Sequence, residues 1–468
     1  MSRNLELPKH WEVKKLGEVC DIQTGKYDAN HAKPSGKFRF YTCAYEYMFC
    51  DTNRFKGESL ILPGNGANVG EVFYYNGDFD AYQRTYVLNG IKTLPKYLYY
   101  HLLGNWRRKN QDKQFGSATN YIRMANFTDY LVPIPPLPEQ VAIVSKIEEL
   151  LSDLDNGKQQ LLTAQQQLKV YRQSLLKAAF EGKLTEDWRR LEVRLPSGAQ
   201  KDKTKPKVLG SRVRIPSKSH TEELMAAEPE VEYVPKGSIP TFGTEPMKGV
   251  PEGRFELSQP QLPEGWKWEK LGEVIEKIEA GKSFKCDERK PQLNEVGVLK
   301  VSAVTWQVFD ENESKTVIGK DRINKNYFVK KHDFLFSRAN TLDLIGAVVL
   351  VNSIERKLML SDKTLRFEFT SDVLKPYILY YLRSRKGRRE IQRLSSGNQV
   401  SMRNIGQARI KEIEFPLPSL KEQQAIVEEL ESKLTVCDKI EETISNSLQQ
   451  AETLKQSILK KAFEGRLV

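Results

Sequence analysis

The chain has 468 residues, 39% apolar and 10% aromatic, which excludes a disordered polymer and leaves room for two to four packed units. Lysine and arginine outnumber aspartate and glutamate by 73 to 61, and the net charge of +12 favours polyanionic partners without by itself selecting nucleic acid. Five cysteines without a CxxC pair, an opening Met1–Pro8 that lacks the apolar run of a signal peptide, and a longest apolar stretch of only Ile345–Val351 argue against secretion and membrane insertion, so a reducing cytoplasm is expected.

The chain opens on Leu7-Pro8-x-x-Trp11-x-x-x-Lys15-Leu16-Gly17-Glu18-Val19, followed closely by Gly25-Lys26. In the region after it, about Lys26 to Pro135, the β-rich run Ser59-Leu60-Ile61-Leu62 leads into the polar loop Gly64-Asn65-Gly66-Ala67-Asn68, and strand residues are expected to resume at Val69-Gly70-Glu71-Val72. Polar side chains held between two strands suit base-edge reading, because Asn can bond adenine at two points and Arg can do the same with guanine. Asn and Gly also favour turns, so Asn65 and Asn68 fit a purely structural role as well. Lys96-Tyr97-Leu98-Tyr99-Tyr100 reads as a helix with core tyrosines, and Arg107-Arg108-Lys109 as phosphate contacts or a solvated helix face. The loop Gly116-Ser117-Ala118-Thr119-Asn120 carries amides and hydroxyls suited to phosphate; Arg84, Ser117, Asn120 and Arg123 join the two asparagines as candidate DNA contacts.

Pro133-Ile134-Pro135-Pro136-Leu137-Pro138 is expected to end this region, since proline continues neither strand nor helix. From Ile143 to Ala179 there is no proline, and Ile147, Leu154, Leu161, Leu168 and Leu175 recur every seventh residue, with Leu150, Ala164, Tyr171 and Ala178 between them. That spacing predicts a long helix packed along another helix, about 55 Å at 1.5 Å per residue, ended by Gly182. Residues 185–261, rich in Lys, Pro, Ser and Glu, read as a polar linker.

The opening pattern then returns as Leu262-Pro263-x-x-Trp266-x-x-x-Lys270-Leu271-Gly272-Glu273-Val274, with Gly281-Lys282 after it. Glu139-Gln140 returns as Glu422-Gln423, an offset of 422 minus 139, or 283, and the same offset carries Gln173–Leu184 onto Gln456–Leu467. The chain is therefore a tandem duplication. In the second region, about Ser283 to Pro416, Asp333-Phe334-Leu335-Phe336 leads into Ser337-Arg338-Ala339-Asn340-Thr341, with strand expected again at Ile345-Gly346-Ala347-Val348. Pro376–Tyr381 is a second aromatic helix, Arg383, Arg385, Lys386, Arg388 and Arg389 a second basic cluster, and Ser395-Ser396-Gly397-Asn398-Gln399 a second polar loop. Candidate DNA contacts here are Arg338, Asn340, Thr341, Lys363, Ser396, Asn398 and Arg403. After Pro416-Leu417-Pro418 a second helix repeats the seam at Leu430, Cys437, Ile444, Ala451 and Ile458, with Ile440 and Leu454 between. Two matching helices in one chain favour intramolecular antiparallel pairing over a homodimeric coil.

Motifs for chemistry fail. Gly281-Lys282-Ser283 would need its first P-loop glycine at Glu276, and Gly64-x-Gly66 has the wrong continuation for a dinucleotide fingerprint. Glu288-x-Lys290 and Glu355-x-Lys357 lack a paired upstream aspartate of a nuclease, the Asn-Pro-Pro-aromatic signature of amino-methyltransferases is missing, and His10, His31, His101, His220 and His332 have no metal-ligand spacing.

With its paired Leu-Pro-x-x-Trp motifs, Pro-Leu-Pro breaks into Glu-Gln helices, Ala-Phe-Glu-Gly-Lys/Arg-Leu helix ends and Phe-x-Arg at Phe336–Arg338, the chain resembles the specificity subunits of type I restriction-modification systems over nearly its whole length. The resemblance implies an α+β fold with a pseudo-twofold internal repeat: two tandem target recognition domains, β-rich with helices, separated by a pair of long antiparallel helices. The expected boundaries are 1–135, 136–184 for the first helix, 185–261 for the linker, 262–416, and 417–468 for the second helix. It further implies a non-catalytic reader of a split, asymmetric site in double-stranded DNA. Its partners would be two methyltransferase subunits that modify adenine N6, and restriction subunits that hydrolyse ATP, translocate DNA and cut it. S-adenosylmethionine, Mg2+ and ATP would sit on those partners, none on this chain. Phe180, Lys183, Phe463 and Arg466, at the helix ends, are the expected methyltransferase contacts. The alternatives are a free-standing endonuclease or methyltransferase with a cryptic site, and a scaffold that binds no DNA.

Overall fold

A computed structural model describes residues 7–110, 120–194, 261–283, 285–305, 308–399 and 402–468. The chain divides into two compact units, residues 1–164 with 442–468, and residues 165–441.

In the first unit, strand β1 (Glu12–Lys15) leads into a single helical turn, α1 (Leu16–Val19). One sheet has the order β2 (Asp21–Thr24), β8 (Thr85–Asn89), β5 (Glu58–Pro63), β6 (Phe73–Asn76), all antiparallel. A second has the order β4 (Met48–Cys50), β3 (Phe38–Tyr41), β7 (Phe79–Ala81), with β3 and β7 parallel. Strand β5 is apolar at consecutive positions because both of its faces are buried: Leu60 and Leu62 pack with Leu98 and Trp106 of helix α2 (Pro95–Asn110), while Ile61 packs with Phe55 and Phe79 on the other side. After the short helix α3 (Met124–Thr128), β9 (Leu131–Ile134) returns antiparallel to β1, with Val13 opposite Pro133. Proline is thus accommodated in a two-stranded ribbon, where an edge needs no N–H, and does not by itself end the strand. Strand structure resumes at Phe73, not at Val69; Gly66 and Gly70 have positive φ and turn the chain through Val69–Val72.

The second unit repeats this plan. Strand β10 (Lys267–Lys270) and the turn α6 (Leu271–Val274) come first, and β22 (Glu414–Leu417) pairs antiparallel to β10. The sheet β11 (Ile275–Ala280), β19 (Thr364–Phe369), β15 (Phe334–Ser337), β17 (Val348–Leu350) has the order of β2-β8-β5-β6. The sheet β12 (Cys286–Asp287), β14 (Ser314–Val317), β13 (Val296–Leu299), β18 (Lys357–Met359) keeps the parallel β13–β18 pair and adds one strand. Again the central strand is buried on both faces, Phe334 and Phe336 on one side and Leu335 on the other. Residues 342–346 form turns, so strand resumes at Val348 and not at Ile345. Helices α7 (Lys375–Arg383) and α8 (Arg385–Leu394) follow, and then a hairpin of β20 (Ser396–Gln399) and β21 (Met402–Asn404), the latter also pairing with β16 (Ala339–Asn340). The short helix α9 (Gln407–Lys411) precedes β22.

The long helices are α4 (Leu137–Phe180) and α10 (Leu420–Ala462). Helix α4 begins six residues before Ile143, because Pro138 in the first turn gives up an N–H that has no partner there. Within the first unit the two run antiparallel, with Lys158 paired to Glu452; within the second they do so again, with Arg172 bridging Asp438 (2.7 Å) and Glu441 (2.9 Å). The sevenfold positions Ile147, Leu168, Leu175, Leu430, Cys437, Ile444 and Ile458 are buried. Of the interleaved positions Tyr171, Ile440 and Leu454 are exposed while Leu150, Ala164 and Ala178 are half-buried, which corrects the expected seam in part: the three exposed side chains fall on its flank.

The duplicated motifs form one frame in each unit. The Trp11 indole N–H donates to Glu139 (3.0 Å), and Gln140 accepts from the Leu94 N–H and donates to the Pro135 carbonyl. Likewise Trp266 donates to Glu422 (2.8 Å), and Gln423 accepts from Leu374 and donates to the carbonyls of Asp372 and Pro418. Tyr97 and Tyr377 donate to the carbonyls of Pro133 and Pro416. The helix ends close the frame with exchanged copies. Phe463 packs on Tyr97 and His101, and Phe180 on Tyr377 and Tyr381. Gly465 (φ +67°) and Gly182 (φ +75°) turn against Pro8 and Pro263, where a Cβ would stand 2.4 and 2.3 Å from proline Cγ. Both phenylalanines are buried by their own unit, so the expectation that they meet a partner protein is corrected; their motif recurs because it seats the frame. The reading of 185–261 as linker is also corrected at its start: helix α5 (Glu186–Arg194) is ordered, with Arg189 bonded to Glu422 and to the Gly182 carbonyl. Residues 195–260 lie outside the described residues.

Candidate nucleic-acid interface

At the end of β5 three separate segments tie together through the backbone. The Gly64 N–H donates to the Arg84 carbonyl (2.9 Å), the Ile122 N–H donates to the Gly64 carbonyl (3.0 Å), and the Gly66 N–H donates to the Asn120 carbonyl (2.8 Å); Asn65 bridges Tyr121. In the second unit Arg338 at the end of β15 donates to the Lys363 carbonyl (2.9 Å), Ile405 donates to the Arg338 carbonyl (2.9 Å), and Ala339 and Asn340 pair with Asn404 and Arg403. The two knots match in two backbone bonds and in the residue pairing beside them. Gly64 stands where Arg338 does, Arg84 where Lys363 does, Tyr121 where Asn404 does, so one scaffold presents two different sets of side chains.

The knots bring together most of the candidates. Asn65 is half-buried, and Arg84, Asn120 and Arg123 are exposed. The Arg123 guanidinium donates to the Tyr121 hydroxyl and lies 5.8 Å from that ring. Asn68 is spent on structure, its amide donating to the Cys43 carbonyl (2.9 Å). In the second unit the Arg338 guanidinium makes no hydrogen bond or ion pair among the described residues, and Lys363, whose carbonyl accepts from the Arg338 N–H, is exposed. The Asn340 carboxamide accepts from the Thr341 N–H, and the Thr341 carbonyl caps the turn at Leu344 and Ile345. Arg403 is corrected as a free DNA contact: its guanidinium donates to Ser395 Oγ, the Ser395 carbonyl and the Gly397 carbonyl, closing the β20–β21 hairpin that replaces the expected loop. Ser396 donates weakly to the Asn404 carbonyl (3.4 Å), Asn398 contributes backbone to the same hairpin, and Ser117 lies outside the described residues.

Part of each basic cluster is used inside its own unit, while Arg108, Arg385, Lys386 and Arg389 stay exposed. Arg383 donates to the Val348 carbonyl, and Arg388 to the carbonyls of Ile345 and Asp343; burial lowers both guanidinium pKa values to about 10 and still leaves them charged at neutral pH. Arg107 pairs with Glu71, and Lys109 lies over the Tyr130 ring. The sequence reading passed over Lys26 and Lys282, although it noticed the Gly-Lys pairs. A Cβ on Gly25 or Gly281 would fall 1.7 or 1.8 Å from the carbonyl oxygen of Ala81 or Leu360, so each glycine lies flat on the turn that leads to Arg84 or Lys363. The exposed lysine that follows is thereby placed beside the knot.

Among the described residues no group of three His, Cys, Asp or Glu is arranged to hold a metal ion, and no helix is long and apolar enough to cross a membrane. The family model "Type I restriction modification DNA specificity domain" matches residues 8–164 and 263–450, once over each copy of the frame and knot. The chain belongs to this family. It is the DNA specificity subunit of a type I restriction-modification system, the non-catalytic member of such a complex. The type I restriction enzyme EcoDI specificity subunit of Escherichia coli is 26% identical over 99% of this chain and 90% of its own length. The fold is that of a chain from a structural study of type I R-M complex assembly and conformational transition (TM-score 0.64, 16% identity, 98% of this chain and 99% of that one). The HsdS subunit from Thermoanaerobacter tengcongensis is similar as well (TM-score 0.50, 18% identity, 99% of each chain).

Proposed function

We propose that each unit of this specificity subunit reads one half of a split, asymmetric site in double-stranded DNA, and that the paired helices fix the unread spacer between the halves. The observation that carries this reading is the duplicated knot, because the same backbone bonds hold Asn65, Arg84, Asn120 and Arg123 in one unit and Arg338, Asn340 and Lys363 in the other. Identical scaffolds with different side chains suit two half-sites of different sequence. Lys26 and Lys282 stand in equivalent places in both and suit phosphate contacts, which carry no sequence information.

The subunit delivers this information to partners: two methyltransferase subunits that use S-adenosylmethionine to modify adenine N6, and restriction subunits that use ATP and Mg2+. The exposed Lys183 and Arg466, at the two helix ends, are proposed for the methyltransferase contact. Five free cysteines agree with action in a reducing cytoplasm. The test is to express the chain with its methyltransferase and map methylated adenines across the host genome. A bipartite motif is expected. A continuous motif, or methylation independent of this chain, overturns the reading.

A further inference from the structure

The connection between β3 and β4, with the first two residues of β4, leaves four large apolar side chains in water. Tyr45 is 72% exposed, Met48 45%, and Tyr47 and Phe49 40% each. The three aromatic ones are nevertheless held in place. Tyr45 meets Phe73 edge-on with centroids 5.6 Å apart, Tyr47 meets Phe49 edge-on at 5.5 Å, and the Arg39 guanidinium lies 4.3 Å from the Tyr47 ring and 4.4 Å from the Tyr75 ring. Rings already fixed by neighbours lose little rotamer freedom on binding, which favours stacking of a flat partner. The connection is also tied to the knot: the Asn68 amide donates to the Cys43 carbonyl, the Cys43 thiol to the Arg84 carbonyl, and the Tyr82 N–H to the Tyr41 carbonyl. In the second unit the connection between β13 and β14, the counterparts of β3 and β4, carries a single exposed apolar side chain among the described residues, Val308 at 70% exposure.

We propose that Tyr45 and Tyr47 form a stacking wedge that seats against a base step of duplex DNA next to the bases reached from the first knot. Apolar side chains inserted at a base step partly unstack it and widen the contact available to the rest of the surface. Charge favours DNA over a protein partner here, because the exposed cations Lys37, where the chain enters β3, and Lys26 and Arg84 at the knot outweigh the one exposed carboxylate between the tyrosines, Glu46, whereas protein interfaces exclude charge from their cores. The inference rests on DNA reading by the first unit.

The complex of this chain with its methyltransferase is titrated with duplexes carrying 2-aminopurine at successive positions in and beside the mapped half-sites. Wild type is expected to raise emission at a step flanking one half-site. Tyr45→Ala removes that signal and weakens binding about tenfold, with the methylated sequence unchanged, while Tyr45→Phe keeps both because stacking needs no hydroxyl. A Tyr45→Ala complex with wild-type emission and affinity overturns the wedge. So does a Tyr45→Ala chain that loses the methyltransferase instead, which assigns the face to a protein. A wild-type complex that does not distinguish target from unrelated duplex overturns the DNA reading itself, a result separate from either variant's behaviour.

Discussion

At the scale of single residues the proposed reading distinguishes contacts that would specify sequence from contacts that would only hold the DNA. Arg338→Ala removes a guanidinium that has no partner among the described residues and that is proposed to read a base, and it is expected to relax one half-site, at a cost of about 1–3 kcal/mol for a lost two-point base contact. Lys282→Ala is expected instead to weaken binding to all sequences alike and to lower the slope of log affinity against log salt by about one. Methylation mapping of the first variant and a salt titration of the second check the pair; unchanged specificity in Arg338→Ala rejects the assignment of that loop. His101 carries a different kind of prediction. It is fully enclosed between Tyr130 and Phe463, and burial lowers its pKa from 6.5 to about 3. The folded state therefore holds a neutral imidazole that the unfolded chain would protonate. This favours folding above pH 6.5 and is lost as pH falls from there toward 3, by up to about 1.4 kcal/mol per pH unit. Urea titrations at pH 7 and pH 5 are expected to show the first unit weakened at the lower pH, and His101→Phe to reduce that difference.

At the scale of elements, what was legible in the sequence is what repeats. The long helices follow from an unbroken sevenfold pattern, and the central strands from short apolar runs that β5 and β15 bury on both faces. The frame was visible as motifs but not as contacts, because Trp11 and Glu139 are 128 positions apart and no local pattern says that one bonds the other. For the same reason Phe180 and Phe463 looked like docking residues. Their partners, Tyr377 and Tyr97, belong to the opposite repeat, which pattern reading along one helix does not reach. The loops proposed for reading stand out by composition, whereas the positions of Lys26 and Lys282 do not, since they depend on the glycine before each lying against a distant carbonyl. The frame implies that Phe463→Asp, which puts a charge into a fully packed site, unfolds the first unit outright. Leu430→Ala, on the helix seam, is expected to cost about 2–5 kcal/mol as a cavity mutation. Limited proteolysis and thermal melts distinguish these outcomes from a pure assembly defect, in which Phe463→Asp would melt like wild type.

At the scale of the whole molecule, the proposal makes the helix pair a ruler, and a ruler is tested by changing its length. The ion pair Lys158–Glu452 fixes the antiparallel register within the first unit, so a residue near Leu161 faces one near Gln449. Seven residues inserted after Leu161 and seven more opposite them, before Gln449, keep the sevenfold seam in phase, and the lengthened pair should still form. The inserted turns add about 10.5 Å to each helix. DNA rises about 3.4 Å per base pair, so the spacer should grow by up to about three base pairs, fewer if the pair is inclined to the DNA axis. The half-sites should not change, because neither knot has been touched. Insertion of seven residues in only one helix should fail differently, by bulging the pair and lowering methylation at every site. Methylome mapping of both insertions reads the result directly. An active enzyme that keeps its original spacer after the paired insertion means that something other than these helices sets the distance between half-sites.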